Sequence, residues 1–455
     1  MVEQSTIWQA MDAAHHLHPF VDNGALAREG ARMVTRAEGV YIWDAEGRQY
    51  LDAFAGLWCV NLGYGRPELA EAAARQMNEL PYYNLFFKSS NVPAARLAQT
   101  LAELAPAHIN HVFFTNSGSE ANDTVFRMVR YFWALKGHPD KKVIIGRQNG
   151  YHGSTVAGAS LGGMKSMHRQ GGLPVPGVEH IRQPYWYDEG GDLSQDEFGL
   201  LAARALEEKI LELGADNVAA FIAEPIQGAG GIIIPPSTYW PEIQRIVQKY
   251  DVLLVADEVI CGFGRTGEWF GCDYFNIHAD LMPIAKGLSS GYLPIGGVMV
   301  ADHIAETLKQ AGEEFSHGFT YSGHPVCAAV ALENLRILKE ERIIEQVRSQ
   351  TAPYLQMQLQ TLADHPLVGQ IRGVGMLAAI ELVADKHSRR RYDGNGRVGA
   401  LCRDLALKQG LILRATGDTM LISPPLTITR DEINILVERA GQALDATQAA
   451  LESES

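Results

Sequence analysis

The stretch Asp251–Gly267, DVLLVADEVICGFGRTG, decides how this chain folds. Val252–Ala256 is a short and wholly aliphatic run. Such a run reads as a strand buried on both faces, the kind found in mostly parallel sheets covered by helices. Asp257 closes it. Open α/β sheets hold their ligands beyond the carboxyl ends of their strands, so Asp257 stands where a site is expected. Gly262–Gly267 spells G-x-G-x-x-G, the turn of a dinucleotide-binding fold. That turn needs its first glycine at the strand end and a helix opening on its last. Here Asp257–Cys261 intervene, and the following EWFGCDYF, Glu268–Phe275, has no helical period. An NAD-linked oxidoreductase is therefore the weaker reading of this loop.

Outward from that strand, apolar strands alternate with helical patterns. HVFFTNSGSEANDTVFRMVRYFWAL, His111–Leu135, runs from a strand through a turn into an amphipathic helix. KKVIIG, Lys141–Gly146, and VAAFIAEP, Val218–Pro225, read as further strands; Leu201–Leu213 and Tyr239–Tyr250 read as helices. Near the start, Arg36–Asp52 alternates apolar and polar residues around a glycine turn, the pattern of a β-meander. After about residue 325 the spacing predicts one long helix over Cys327–Val347, then the strand-rich pieces GMLAAIELV and LILRATGDTMLIS separated by a helix. Thr429 and Glu432 form a capping-box signal for a last helix. The expected architecture is α/β: a large domain over 61–325 with a mostly parallel sheet, and a smaller α+β domain over 326–455. Residues 1–60 contribute to the smaller one.

Composition excludes some functions. The 455 residues are 46% apolar and 20% charged, with a net charge of −14. That charge disfavours a nucleic-acid partner, which needs a basic face. No apolar run reaches the ~18 residues of a membrane span. The N-terminus lacks a secretory signal, and five scattered cysteines suit free thiols in a reducing cytoplasm. Gly287-Leu288-Ser289-Ser290-Gly291 spells a nucleophile elbow, but Pro294 and two glycines follow where its helix would begin. His15, His16 and His18 cluster without an evident carboxylate or cysteine partner, so no metal site is expected.

Three features share one chemistry. Asp257 ends a buried strand. Lys286 follows in DLMPIAKGLSSGYLPIGG, an apolar, glycine-rich setting that depresses a lysine's pKa and makes it nucleophilic towards a carbonyl. Ser117-Gly118-Ser119 lies between a strand and a helix, where free N–H groups and the helix dipole attract an anion. Together they describe pyridoxal 5'-phosphate: a Schiff-base lysine, a carboxylate at the ring nitrogen and a phosphate turn.

The chain resembles the class III (ω-type) aminotransferases of the fold-type I pyridoxal-phosphate superfamily. The resemblance runs through GLWCVNLGYGRPELAEA, FTNSGSEAND, YHGST, EPIQGAGG, VADEVICGFGRTG, AKGLSSGYLPIGG and FTYSGHPVCAAVAL. It implies that Lys286 carries the cofactor and shuttles the proton, and that Asp257 pairs with the ring nitrogen. It implies phosphate contacts from Ser117, Gly118 and Ser119, stacking by Tyr151, and flanking roles for His152, Glu224 and Val259. Thr320 is expected to reach the phosphate from a partner subunit, in a homodimer or dimer of dimers with sites at the interface. Arg414 resembles the family's carboxylate-binding arginine. Ala229 stands where the ornithine and γ-aminobutyrate branches carry glutamate, which points to the amine:pyruvate branch. Trp58, Phe20, Phe86 and Phe87 are implied as walls of an apolar substrate pocket. The implied reaction moves an amino group from an ω-amine to pyruvate; an aminomutase or decarboxylase of the same fold is the alternative.

Overall fold

The computed structural model describes residues 2–394 and 396–454. Its centre is a seven-stranded sheet made of β4 (Ile109–Thr115), β5 (Val143–Arg147), β6 (Val178–Ile181), β7 (Val218–Ala223), β8 (Leu253–Ala256), β9 (Leu281–Ile284) and β10 (Gly296–Ala301). In space the order is β4-β10-β9-β8-β7-β5-β6. Only β10 runs against its neighbours, β4 and β9; the pairs from β9 through β6 are parallel. The carboxyl ends of β4, β5, β7, β8 and β9 therefore share one edge.

The strand Leu253–Ala256 shows why the sheet is covered twice. Leu253 and Val255 pack with Ala121 and Val125 of the helix Gly118–Leu135. Leu254 and Ala256 join the opposite layer, with Trp240 and Ile243 of the helix Tyr239–Lys249. Alternate side chains of a strand point to opposite faces, so an unbroken aliphatic run needs helices on both.

Two four-stranded sheets flank this centre. β1 (Val34–Glu38), β2 (Tyr41–Asp44) and β3 (Gln49–Asp52) form the expected meander, and β13 (Leu411–Ile412) adds to β3 in parallel. The chain's first strands are thus tied to its last quarter. β11 (Val368–Val374), β12 (Leu377–Leu382), β15 (Thr419–Ile422) and β14 (Arg414–Thr416) form an antiparallel sheet in that order. The last helix, Arg430–Glu454, carries the anticipated capping box: Glu432 accepts from the Thr429 N–H at 2.8 Å, and Thr429 Oγ1 accepts from the Glu432 N–H at 3.3 Å.

One expectation is corrected. The long helix ends at Glu340, and Arg342 adopts φ +53 before a new turn begins at Ile343. Ile343 and Ile344 are buried while Glu340–Arg342 are exposed, so the chain re-aims its apolar side chains at this break. Neither glycine nor proline marks the spot.

Candidate active site

Each strand end on the common edge delivers a functional group to one cavity of about 620 Å³. β8 delivers Asp257, which is 2% exposed. Its Oδ2 accepts from His152 Nδ1–H at 2.7 Å and from Asn122 Nδ2 at 2.8 Å, and its Oδ1 accepts from the Val259 N–H at 3.0 Å. Three donors hold one carboxylate in place.

β9 leads to Lys286, whose backbone has φ +44. A left-handed lysine costs about 1–2 kcal/mol, and such strain gathers at functional sites. Burial pushes the Lys286 ammonium below the ordinary lysine value, against the opposing pull of Asp257. Its Nζ lies 5.6 Å from the centre of the Trp58 ring. β7 ends at Glu224, where burial raises the carboxyl's pKa. Glu224 accepts from the backbone N–H groups of Tyr151, at 3.1 Å, and Gly228, at 2.8 Å, so it braces the loop that carries Tyr151 and His152.

β4 leads into the helix Gly118–Leu135. Ser117 caps that helix: its Oγ accepts from the Glu120 N–H at 3.2 Å. Gly118 and Ser119 line the cavity, whereas Ser117 does not. The first N–H groups of a helix have no partner within it, so this end is built to meet an anion. Gly153, at φ +123, passes so close that a Cβ there would lie 2.6 Å from Ser119 Oγ. The Tyr151–Thr155 turn can therefore sit directly against the anion turn. Gly296 does the same from β10, where a Cβ would meet the Ser117 carbonyl at 2.7 Å.

The remaining predicted residues divide. Phe20, Trp58, Tyr151, His152, Val259, Ala229 and Arg414 all line the cavity with Lys286 and Asp257. Arg414 lies with its guanidinium 5.0 Å from the Trp58 ring centre, and burial lowers its pKa. Ala229 accepts at its carbonyl from Thr416 Oγ1 at 3.2 Å, which fixes it beside β14 and so beside Arg414. Phe86, Phe87 and Thr320 lie outside the cavity. Phe87 is 91% exposed, and Tyr82 donates to the Thr320 carbonyl at 2.7 Å, so these two segments form a joint outer surface. Asn122 was missed by the sequence reading. Its signal is faint: a polar residue one turn into a helix, on the face that carries Ala121 and Val125 into the core.

Neither competing spelling finds its structure. Gly267 opens no helix; only the short helix Gly271–Phe275 follows it. Ser289 is buried and donates to the Leu293 carbonyl at 2.5 Å, away from any nucleophilic role.

The class III aminotransferase family model matches residues 25–444. The chain belongs to that family. It is 65% identical to the putrescine–pyruvate aminotransferase of Pseudomonas aeruginosa, across 98% of this chain and 97% of that protein. It is 44% identical to the diaminobutyrate–2-oxoglutarate transaminase of Halomonas elongata, across 97% and 95%. Among solved structures, the omega transaminase from Pseudomonas jessenii in complex with PMP superposes with a TM-score of 0.95 at 45% identity, covering 97% of this chain and 98% of that one. The expected fold-type I architecture and the aminotransferase assignment are borne out.

Aminotransferases of this class use pyridoxal 5'-phosphate, and the cavity suits it. Among the described residues His152 Nε2 and Asn122 Oδ1 are buried without hydrogen-bond partners beside the Asp257 carboxylate. A lysine, a braced carboxylate and a helix N-terminus open on the same space. This donor set offers an amine for the aldehyde, an acceptor for the ring N–H and donors for the phosphate.

Proposed function

We propose that this aminotransferase moves an amino group from an ω-amine, such as a diamine, to pyruvate by a ping-pong mechanism. The observation that carries the reading is Arg414, which shares the cavity with Lys286 and Asp257 and meets no carboxylate there among the described residues. Pyridoxal phosphate, when bound, supplies an aldehyde to take the amino group and a ring that withdraws the electron pair left on the donor carbon.

This chain's residues do the rest. Lys286 Nζ, at the cavity wall, would hold the cofactor by its aldehyde and would hold or release a proton beside the reacting carbon. Asp257 would accept from the ring N–H, with His152 and Asn122 holding Asp257. Gly118 and Ser119 would meet the phosphate, and Ser117 caps the same helix end by taking the Glu120 N–H. Tyr151 and Val259 would hold the ring, and Glu224 fixes the loop that carries Tyr151. Trp58 and Phe20 exclude water around an apolar donor chain. Arg414 takes the pyruvate carboxylate, a contact suited to its planar fork. Ala229 offers no charge to pair with Arg414 when the donor lacks a carboxylate, which favours donors that keep clear of it.

Phe86, Phe87 and Thr320, exposed on one chain, serve the neighbouring site of a homodimer or dimer of dimers. The division at residues 61 and 326 into large and small domains accompanies this reading. Among the described residues no helix is long and apolar enough to cross a membrane, and five unpaired thiols fit a reducing cytoplasm.

A donor panel against pyruvate tests the proposal. Initial rates with putrescine, β-alanine and an arylethylamine should be highest for putrescine. Absence of alanine formation from every donor would overturn it.

A further inference from the structure

The N-terminal histidines are the one motif that the transamination site does not absorb. The sequence reading set them aside for want of a carboxylate, and the structure supplies one. Asp12 lies one helical turn before His16. Its Oδ1 is 2.9 Å from His16 Nδ1, and its Oδ2 is 2.7 Å from His18 Nε2. The three donor atoms lie within 4.8 Å of one another.

The backbone fixes all three. The His16 N–H donates to the Asp12 carbonyl at 2.9 Å, which extends the helix Val2–His15 by a residue. Asn23 grips His18 from both sides: its Oδ1 accepts from the His18 N–H at 2.7 Å, and its Nδ2 donates to the His18 carbonyl at 3.2 Å. Asp12 and His18 are largely covered, and His16 is the exposed member. Donor atoms around a tetrahedral zinc ion at about 2.0–2.2 Å sit roughly 3.3–3.6 Å apart, so the 2.7 and 2.9 Å contacts here need to open by less than about 1 Å to admit the ion. Two imidazoles and a carboxylate select zinc, nickel or copper over magnesium or calcium, which prefer oxygen alone.

The site's place in the fold gives it a consequence. Two residues beyond His18 is Phe20, at φ +52, whose ring centre lies 6.4 Å from that of Tyr151. Pro19 and Phe20 both line the active-site cavity. We propose that Asp12, His16 and His18 bind a divalent transition-metal ion, and that the ion clamps the Pro19–Phe20 segment over the cavity. Binding replaces the two imidazole–carboxylate hydrogen bonds with three metal–ligand bonds and releases any proton they share.

The test uses untagged, cofactor-loaded protein and needs no turnover, so it stands or falls apart from the proposed reaction. Equilibrium dialysis against zinc should leave one equivalent per chain. Asp12→Ala and the double change His16→Ala/His18→Ala should weaken that binding about ten-fold or more. Copper added instead should give an electron-paramagnetic spectrum with two coordinated nitrogens in the parent protein and none in the double variant. Zinc should also slow amide exchange over residues 16–22 in the parent only. Equal zinc affinity in parent and variants would overturn the site. Full zinc binding with unchanged exchange over 16–22 would overturn the clamp.

Discussion

Asn122 donates to Oδ2 of Asp257 at 2.8 Å and to the carbonyl of His152 at 2.9 Å, from a side chain that is 1% exposed. One amide therefore ties the cofactor-facing carboxylate to the loop that also supports it. A hydrogen bond to a charged group contributes about 1.5–3 kcal/mol. Asn122→Ala should lower kcat/KM roughly ten- to hundred-fold, with most of the loss in kcat. Steady-state kinetics with a saturating donor checks this, and an unchanged kcat would show that His152 and the Val259 N–H hold Asp257 without Asn122.

Burial depresses Lys286 below the ordinary value of 10.5. In the cofactor-free protein the unfolded chain therefore holds a proton that the folded chain has given up, over the pH window just below that value. Stability rises with pH wherever the unfolded state binds more protons. The cofactor-free protein should gain stability as pH climbs through that window, and Lys286→Met should remove the gain. Chemical denaturation across alkaline pH, comparing the two proteins, measures it.

Glu258 behaves in the opposite sense. Its buried carboxylate accepts from the N–H groups of Gly271, at 2.8 Å, and Cys272, at 2.6 Å, yet burial pushes its pKa up from 4.5 to about 7. The folded state then binds more protons than the unfolded between those values, so this group's contribution is full in acid and is lost as pH rises towards 7. Thermal unfolding at a series of pH values should show that fall in the parent and a flatter profile in Glu258→Gln. Parallel profiles would place the titration elsewhere.

Phe87 is 91% exposed beside Phe86, and Tyr321 is 58% exposed on the neighbouring segment. Large apolar groups gathered in this way mark an interaction surface. Phe87→Glu should shift the protein towards a monomer in light scattering and reduce activity in step. A variant that stays assembled and fully active would separate this surface from the site.

The sequence disclosed Asp257 and Lys286 because each sits at a break in pattern. Asp257 ends an aliphatic run, and Lys286 is a lone cation among apolar and glycine residues. The sheet was legible for the same reason, since β7 and β8 are unbroken apolar runs. Asn122 was hidden because a polar residue in an amphipathic helix reads as solvent-facing until its neighbours are placed. Asp12 escaped because its partners belong partly to a loop beyond the helix. Ser117 reads differently in the structure: its Oγ accepts from the Glu120 N–H as the helix cap, and Gly118 and Ser119 rather than Ser117 line the cavity. The break at Arg342 follows from where Ile343 and Ile344 must be buried, which only the packed structure specifies.

The most direct measurement is the visible absorption of the cofactor-loaded protein, titrated first with putrescine and then with pyruvate. The yellow colour should fade with the amine and return with the keto acid, and Lys286→Ala should do neither at a measurable rate. A parent protein whose colour ignores both additions, or a Lys286→Ala variant that cycles normally, would contradict the account.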